Sequence, residues 1–140
     1  MQLTRAADYA VRVMVYLAGL KPGTRASRTE LAEAAGCPDQ FLAKVMQTLT
    51  RARLVVSHRG NTGGFELPQA QRRASMLDVI EAIEGPIRLN LCVDSACDCE
   101  RKLWCPAHRV WVEAQVAMTG VLRNARLEDL ARQVDRPSWN

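Results

Sequence analysis

Apolar residues recur at three- and four-residue intervals over several stretches of the chain, and each such stretch predicts an amphipathic helix. In the first, Tyr9, Val13, Leu17 and Leu20 share a face with Ala10, Met14 and Ala18 beside it, a stripe broad enough to be mostly buried. Thr4 is placed to cap this helix, Lys21, Pro22 and Gly23 to end it, and Asp8 stands in the first turn, where the helix dipole favours a carboxylate. Ser27 and Glu30 have capping-box spacing ahead of Leu31, Ala32 and Ala35, and Gly36 stops that short helix. Pro38 fits the first position of a third helix with Phe41, Leu42, Val45, Met46 and Leu49 facing inward. Asp39, Gln40, Ala43, Lys44, Gln47 and Arg51 are left on or near its outside.

The pattern then changes. Leu54, Val55 and Val56 read as a strand, 58–64 as a glycine-rich turn, and Phe65, Glu66 and Leu67 as the returning strand. Two helices joined by a short glycine-containing turn and followed by a β-hairpin with a basic tip predict a winged helix-turn-helix. Its second helix would enter a major groove, and Arg59 on the wing a minor groove. Ser75 caps a fourth helix through Leu77, Val79, Ile80 and Ile83, closed by Gly85 and Pro86 and expected to cover the wing's sheet. After an extended stretch at 87–90 and a loop, Pro106 opens a long helix to about Asn124.

In that long helix Val110, Trp111, Ala114, Ala117, Met118, Val121 and Leu122 form a stripe that needs a partner, and a two-fold dimer interface would supply one. A short helix through Leu127 and Leu130 follows, and 135–140 reads as a frayed tail. The expected fold is therefore mainly α with a small β-hairpin wing. Residues 1–86 form a winged helix-turn-helix DNA-binding unit whose first helix also packs at the dimer, 87–105 a metal-binding loop, and 106–134 a dimerisation helix with a short return helix.

Composition adds a core type and a charge. Hydrophobic residues make up 48% of the 140, but there are only two Phe, two Tyr and three Trp, so an aliphatic, alanine-rich single domain is expected. Net charge is +4, and Arg51, Arg53, Arg59, Arg72 and Arg73 are opposed only by Glu66 between positions 51 and 73. Such a patch suits an anionic partner, nucleic acid first. Arg5, Asp8 and Arg12 interrupt what would be an apolar leader, and no run approaches the roughly 18 apolar residues of a membrane span. A cytoplasmic protein without a membrane partner is expected. No nucleophile–base pair stands out beyond Cys105 with His108, and no phosphate loop is present, which argues against an enzyme.

The candidate chemistry is concentrated in C-V-D-S-A-C-D-C-E-R-K-L-W-C-P-A-H, Cys92 to His108, which holds four of the five cysteines. Thiolate and imidazole donors suit zinc, copper(I) or iron–sulfur clusters. In a reducing compartment they argue for metal or redox chemistry rather than a disulfide framework. Cys92, Cys99, Cys105 and His108 could close a zinc site, and Cys97 with Cys99 could act as a metal-free thiol sensor. Cys37 is expected to be a small residue at the start of the third helix, a place where a thiol would have a lowered pKa and could be reactive.

Together, the opening M-Q-L-T with D-Y-A, the P-D-Q-F-L-A-K-V segment, the V-V-S-H-R-G-N-T-G-G-F-E-L wing, the cysteine loop and L-E-D-L resemble the bacterial winged-helix regulators typified by IscR and NsrR, the Rrf-two family, over about residues 1–134. The resemblance implies a homodimeric transcriptional regulator, expected to be a repressor, on a pseudo-palindromic double-stranded operator. It implies one iron–sulfur cluster per subunit, whose state sets DNA affinity in response to nitric oxide, redox state or iron supply. Cys99, with five residues between it and Cys105, matches the family spacing, and Cys92 is the natural first ligand. Cys97, with four residues between it and Cys92, competes with Cys99 and stands as the alternate.

For the fourth ligand the resemblance offers two residues. His108, three positions after Cys105, matches the IscR-like 2Fe-2S pattern, and Asp8 of the partner subunit the NsrR-like 4Fe-4S pattern. The opening T-R-A-A-D-Y-A tips the expectation to 4Fe-4S. On DNA, Gln40, Lys44 and Gln47 are the expected groove contacts, Arg51 and Arg59 the phosphate or minor-groove contacts, and Asp39 is grouped with them at the head of the recognition helix.

Overall fold

The computed structural model describes residues 2–134. Helix α1 (Arg5–Gly19) is its axis: Ala7, Ala10, Val13, Met14, Val15, Leu17 and Ala18 are buried, and helices from the rest of the chain pack around it. Its start is capped as expected, Thr4 Oγ1 accepting from the Ala7 N–H at 3.3 Å. Its end is not left to glycine alone. Arg72 donates from Nη2 to the carbonyls of Ala18 (2.5 Å) and Leu20 (3.1 Å), groups that a helix terminus leaves without intrahelical partners.

Helix α2 (Arg28–Ala35) begins at Ser27, whose Oγ accepts from the Glu30 N–H at 3.1 Å; the Glu30 carboxylate accepts from the Tyr16 hydroxyl at 2.6 Å. Gly36, at φ +62°, ends it in the left-handed conformation. Helix α3 (Asp39–Arg51) follows with Pro38 as its cap rather than its first residue. Leu42, Val45, Met46 and Leu49 are buried as expected. Phe41 is not: it is 39% exposed and meets Tyr9 edge-on with ring centroids 5.6 Å apart.

The wing starts later than the apolar run suggests. Arg53 turns the chain at φ +61°, Leu54 and Val55 drop into the core outside any strand, and the strands are β2 (Val56–His58) and β3 (Gly64–Glu66). A strand β1 (Arg25–Ala26), too short to show any alternation, adds to the other edge, giving the antiparallel order β1-β3-β2. Gly64 makes this possible: at φ +134° it lies so close to β1 that a Cβ would sit 2.6 Å from the Ala26 carbonyl oxygen.

Helix α4 (Met76–Glu84) has the full capping box, Ser75 and Asp78 each bonding the other's backbone N–H. It packs chiefly on α1, on α3 and on the long helix α5 (Pro106–Asn124), not on the wing as the sequence suggests. Strands of two and three residues offer too little apolar face to hold a helix, whereas α1 offers its length. Leu77, Ile80 and Ile87 form a second cluster with Met118 and Leu122 of α5. Helix α6 (Leu127–Arg132) returns to the beginning: Met76 N–H donates to the Ala125 carbonyl (2.8 Å), Leu127 N–H to the Ala74 carbonyl (3.0 Å), and Leu127 is fully buried in the α1 core.

Helix α5 departs from the rest. It is bounded as expected, yet none of its residues is buried, and Val110, Val116 and Val121 are 62%, 65% and 70% exposed. The expected frayed tail at 135–140 lies outside the described residues. Among the described residues, no helix is long and apolar enough to cross a membrane.

Candidate nucleic-acid interface and cysteine loop

Between α3 and the wing lies a cleft of about 660 Å³. Lys44, Gln47 and Arg51 reach it from α3 and Arg59 from the β2–β3 tip, so four residues expected to meet DNA share one surface. Gln40 and Asp39 are exposed on α3 but do not line the cleft. Arg28, at the head of α2, does, and the sequence pattern did not single it out.

The wing is braced by groups that the charge pattern treated only as a sum. His58 Nε2 and Glu66 Oε2 are 2.9 Å apart across β2–β3, Arg25 Nε lies 4.0 Å from the same carboxylate, and Arg25 Nη1 donates to the Thr62 carbonyl at 3.1 Å. These contacts tie the tip to β1. The basic patch is smaller than its count implied. Arg72 is committed to the end of α1, and Arg73, largely exposed, has Glu128 3.5 Å from its Nε, while Arg51 and Arg59 line the cleft.

In the cysteine segment, Cys92 sits in a 3-10 turn (Leu91–Val93) packed on α5, and Cys105 caps the start of α5. Cys97 and Cys99 lie between them; all four are half-buried, and none is in a disulfide. Asp94 organises the loop. Its carboxylate accepts from the Ala96 N–H at 3.0 Å and pairs with Arg88 Nε at 2.9 Å, and its carbonyl accepts from Lys102 Nζ at 3.3 Å. The Ala96 N–H first, and then the Arg88 charge, hold the Asp94 carboxyl below its ordinary pKa. Gln115 fixes the approach to the loop, Nε2 donating to the Ile87 carbonyl (2.7 Å) and Oε1 accepting from the Leu89 N–H (2.8 Å).

Cys105 and His108 line a common cleft at the foot of α5, and His108 Nδ1 is buried there without a hydrogen-bond partner among the described residues. An unpartnered buried ring nitrogen one turn from a thiol fits a soft-metal donor set, as do the four free thiols. Among the described residues, however, no three His, Cys, Asp or Glu side chains are gathered closely enough to hold a metal ion. Asp8 is exposed on α1 and pairs with Arg12 at 2.7 Å. Cys37 is a small buried residue, as expected, with its Sγ 3.5 Å from the Pro38 carbonyl oxygen, but burial raises its thiol pKa instead of lowering it.

A helix-turn-helix with a three-stranded wing and a basic cleft between them defines a winged-helix DNA-binding protein. The chain belongs to the Rrf2 family of iron-dependent transcriptional regulators, whose pattern it matches over residues 3–133. Protein aau3 of Rhizobium meliloti is 34% identical over 142 residues, covering 100% of this chain and 90% of that protein. Two Mycobacterium tuberculosis proteins named as HTH-type transcriptional regulators are 44% identical over 87 residues, 62% of this chain; the chain spans 54% of their length. Among solved structures, CymR, described as the global cysteine regulator of B. subtilis, superposes with a TM-score of 0.77 at 28% identity, covering 96% of this chain and 99% of that one. T. potens IscR shares the fold, with a TM-score of 0.73 at 24% identity over 98% of this chain and 90% of its own. The family and the two Mycobacterium tuberculosis relatives are transcriptional regulators, not enzymes.

Proposed function

We infer that the chain is a homodimeric repressor that binds a pseudo-palindromic operator through α3 and the wing, with affinity set by an iron–sulfur cluster at the cysteine loop. The observation that carries this reading is the pairing, in one small fold, of a basic cleft at α3 with four unpaired thiols beside a helix that leaves Val110, Val116 and Val121 exposed. Cys92, Cys99 and Cys105 would hold the cluster, with Cys97 as alternate and Asp8 of the partner subunit or His108 completing it. A bound cluster supplies an electron-rich iron and sulfide centre open to attack by nitric oxide and other small oxidants.

The chain's own residues transmit the change. Gln115 and Ile87 fasten the loop's approach to α5 and α4, and α4 packs on α1 and α3, so release of the loop ligands reaches the reading heads through packed helices. Two recognition helices must stay about 34 Å apart to enter successive major grooves. A coupling of about 1 to 3 kcal/mol between loop and head is enough for a switch.

Anaerobic purification followed by absorption and Mössbauer spectroscopy tests the cluster. A brown protein with iron and sulfide is expected, preferentially of the 4Fe-4S type, and a colourless one with stoichiometric zinc overturns the reading. Repeating the measurement on Cys97→Ala, Cys99→Ala, Asp8→Ala and His108→Ala assigns the ligands. A second reading, a thiol-based sensor without iron, is favoured by the likeness to CymR, which also has a solved oxidised form in Staphylococcus aureus. It requires DNA binding that thiol reductants reverse and that iron removal leaves unchanged.

A further inference from the structure

We propose that Arg28 is a phosphate-contacting residue of the DNA interface and that Asp39, rather than reading a base, is the positioning residue that aims it. This rests on the DNA-binding reading given above. The two residues open the two helices of the helix-turn-helix, Arg28 as the first residue of α2 and Asp39 as the first of α3. Arg28 Nε donates to Asp39 Oδ1 at 3.0 Å, and both side chains are about half exposed. Only Arg28 of the pair lines the cleft, where it joins Lys44, Arg51 and Arg59.

The geometry assigns the roles. A guanidinium is a planar fork with five N–H donors, and anchoring it through Nε leaves the outer edge of both Nη groups for a second, bidentate partner. Among the described residues the Nη atoms of Arg28 have no protein partner, so that edge is available. Phosphate is the acceptor a duplex offers at the margin of the groove that a recognition helix enters. A carboxylate left alone at that margin would repel the backbone. Asp39 is tolerable there because its charge is turned onto Arg28, and in exchange it removes part of the side-chain freedom that a phosphate contact would otherwise have to freeze.

The experiment uses the full-length protein and a duplex recovered by in vitro selection from a random pool. Salt titrations by fluorescence anisotropy are run on the wild type, Arg28→Ala, Asp39→Ala and the double variant, with thermal melts to verify folding and Arg51→Ala as a control. Arg28→Ala is expected to weaken binding about tenfold and to lower the slope of log K against log salt by about one unit. Asp39→Ala is expected to weaken binding about threefold although it removes a negative charge, and to have no weakening effect once Arg28 is gone.

The opposite sign overturns the proposal. If Asp39→Ala strengthens binding while Arg28 is present, or if the double variant binds as tightly as the wild type, then Arg28 only masks Asp39. An unchanged slope in Arg28→Ala also removes the phosphate contact, while a reduced slope in Arg51→Ala leaves the DNA reading standing. Failure of selection to recover any duplex removes both readings together.

Discussion

The winged-helix head and the cysteine loop with α5 are built by different rules. In the head, α1 is surrounded by helices, and its core residues Met14, Leu17, Leu42 and Leu49 are at most 1% exposed. In the other region, α5 buries no residue, Leu103 and Trp104 of the loop are exposed, and the chain is held by a few polar side chains such as Gln115 and Asp94. One chain therefore specifies the head, because its apolar surface is satisfied within the chain. The loop and α5 present exposed apolar surface and soft donors, which the proposed cluster and second subunit would take up.

The contrast can be broken by substitution. Leu42→Ala, in the head, should cost about 2 to 5 kcal/mol of unfolding free energy by urea titration, since it opens a cavity in a packed core. A loss below about 1 kcal/mol would mean that the head is as loosely built as the loop. Arg72→Ala should cost about 1.5 to 3 kcal/mol by uncapping α1, with no change in the salt slope of DNA binding. A slope lowered by about one unit would return Arg72 to the DNA-binding patch.

Smaller effects sharpen the other side. Gln115→Ala should cost about 1 kcal/mol and speed the reaction of the loop cysteines with a thiol reagent, because two bonds anchoring 87–89 are lost. Unchanged thiol reactivity would show that Asp94 alone holds the loop. Val116→Glu should change the stability of the head by less than about 0.5 kcal/mol yet, if α5 is the seam of the proposed dimer, shift sedimentation from dimer to monomer. A dimer that survives this charge would place the interface on another face.

How much was legible beforehand follows from the range of each interaction. Helix positions, the caps at Thr4, Ser27 and Ser75, and the stop at Gly36 depend on residues a few positions apart, and these read correctly. The exposed face of α3 with Lys44, Gln47 and Arg51 follows from the same periodicity, as does the turn that carries Arg59. Strand β1 was invisible because two residues carry no period, and the wing was misread by two residues because Leu54 and Val55 are apolar for burial, not for pairing.

Composition and local spacing specify the helical scaffold, the presence of a wing, the basic face of α3 and the density of soft donors in one loop. The tertiary structure decided which charges are free. Arg72 reaches carbonyls 54 and 52 positions away, Arg25 one 37 positions away, and Gln115 groups 26 and 28 positions away. It also decided that Cys37 is sealed in the core and that Arg28 and Asp39 face one another across the helix-turn-helix. A local pattern says that a residue is polar, but only the packing of distant segments says which partner satisfies it and which residue is left for a ligand.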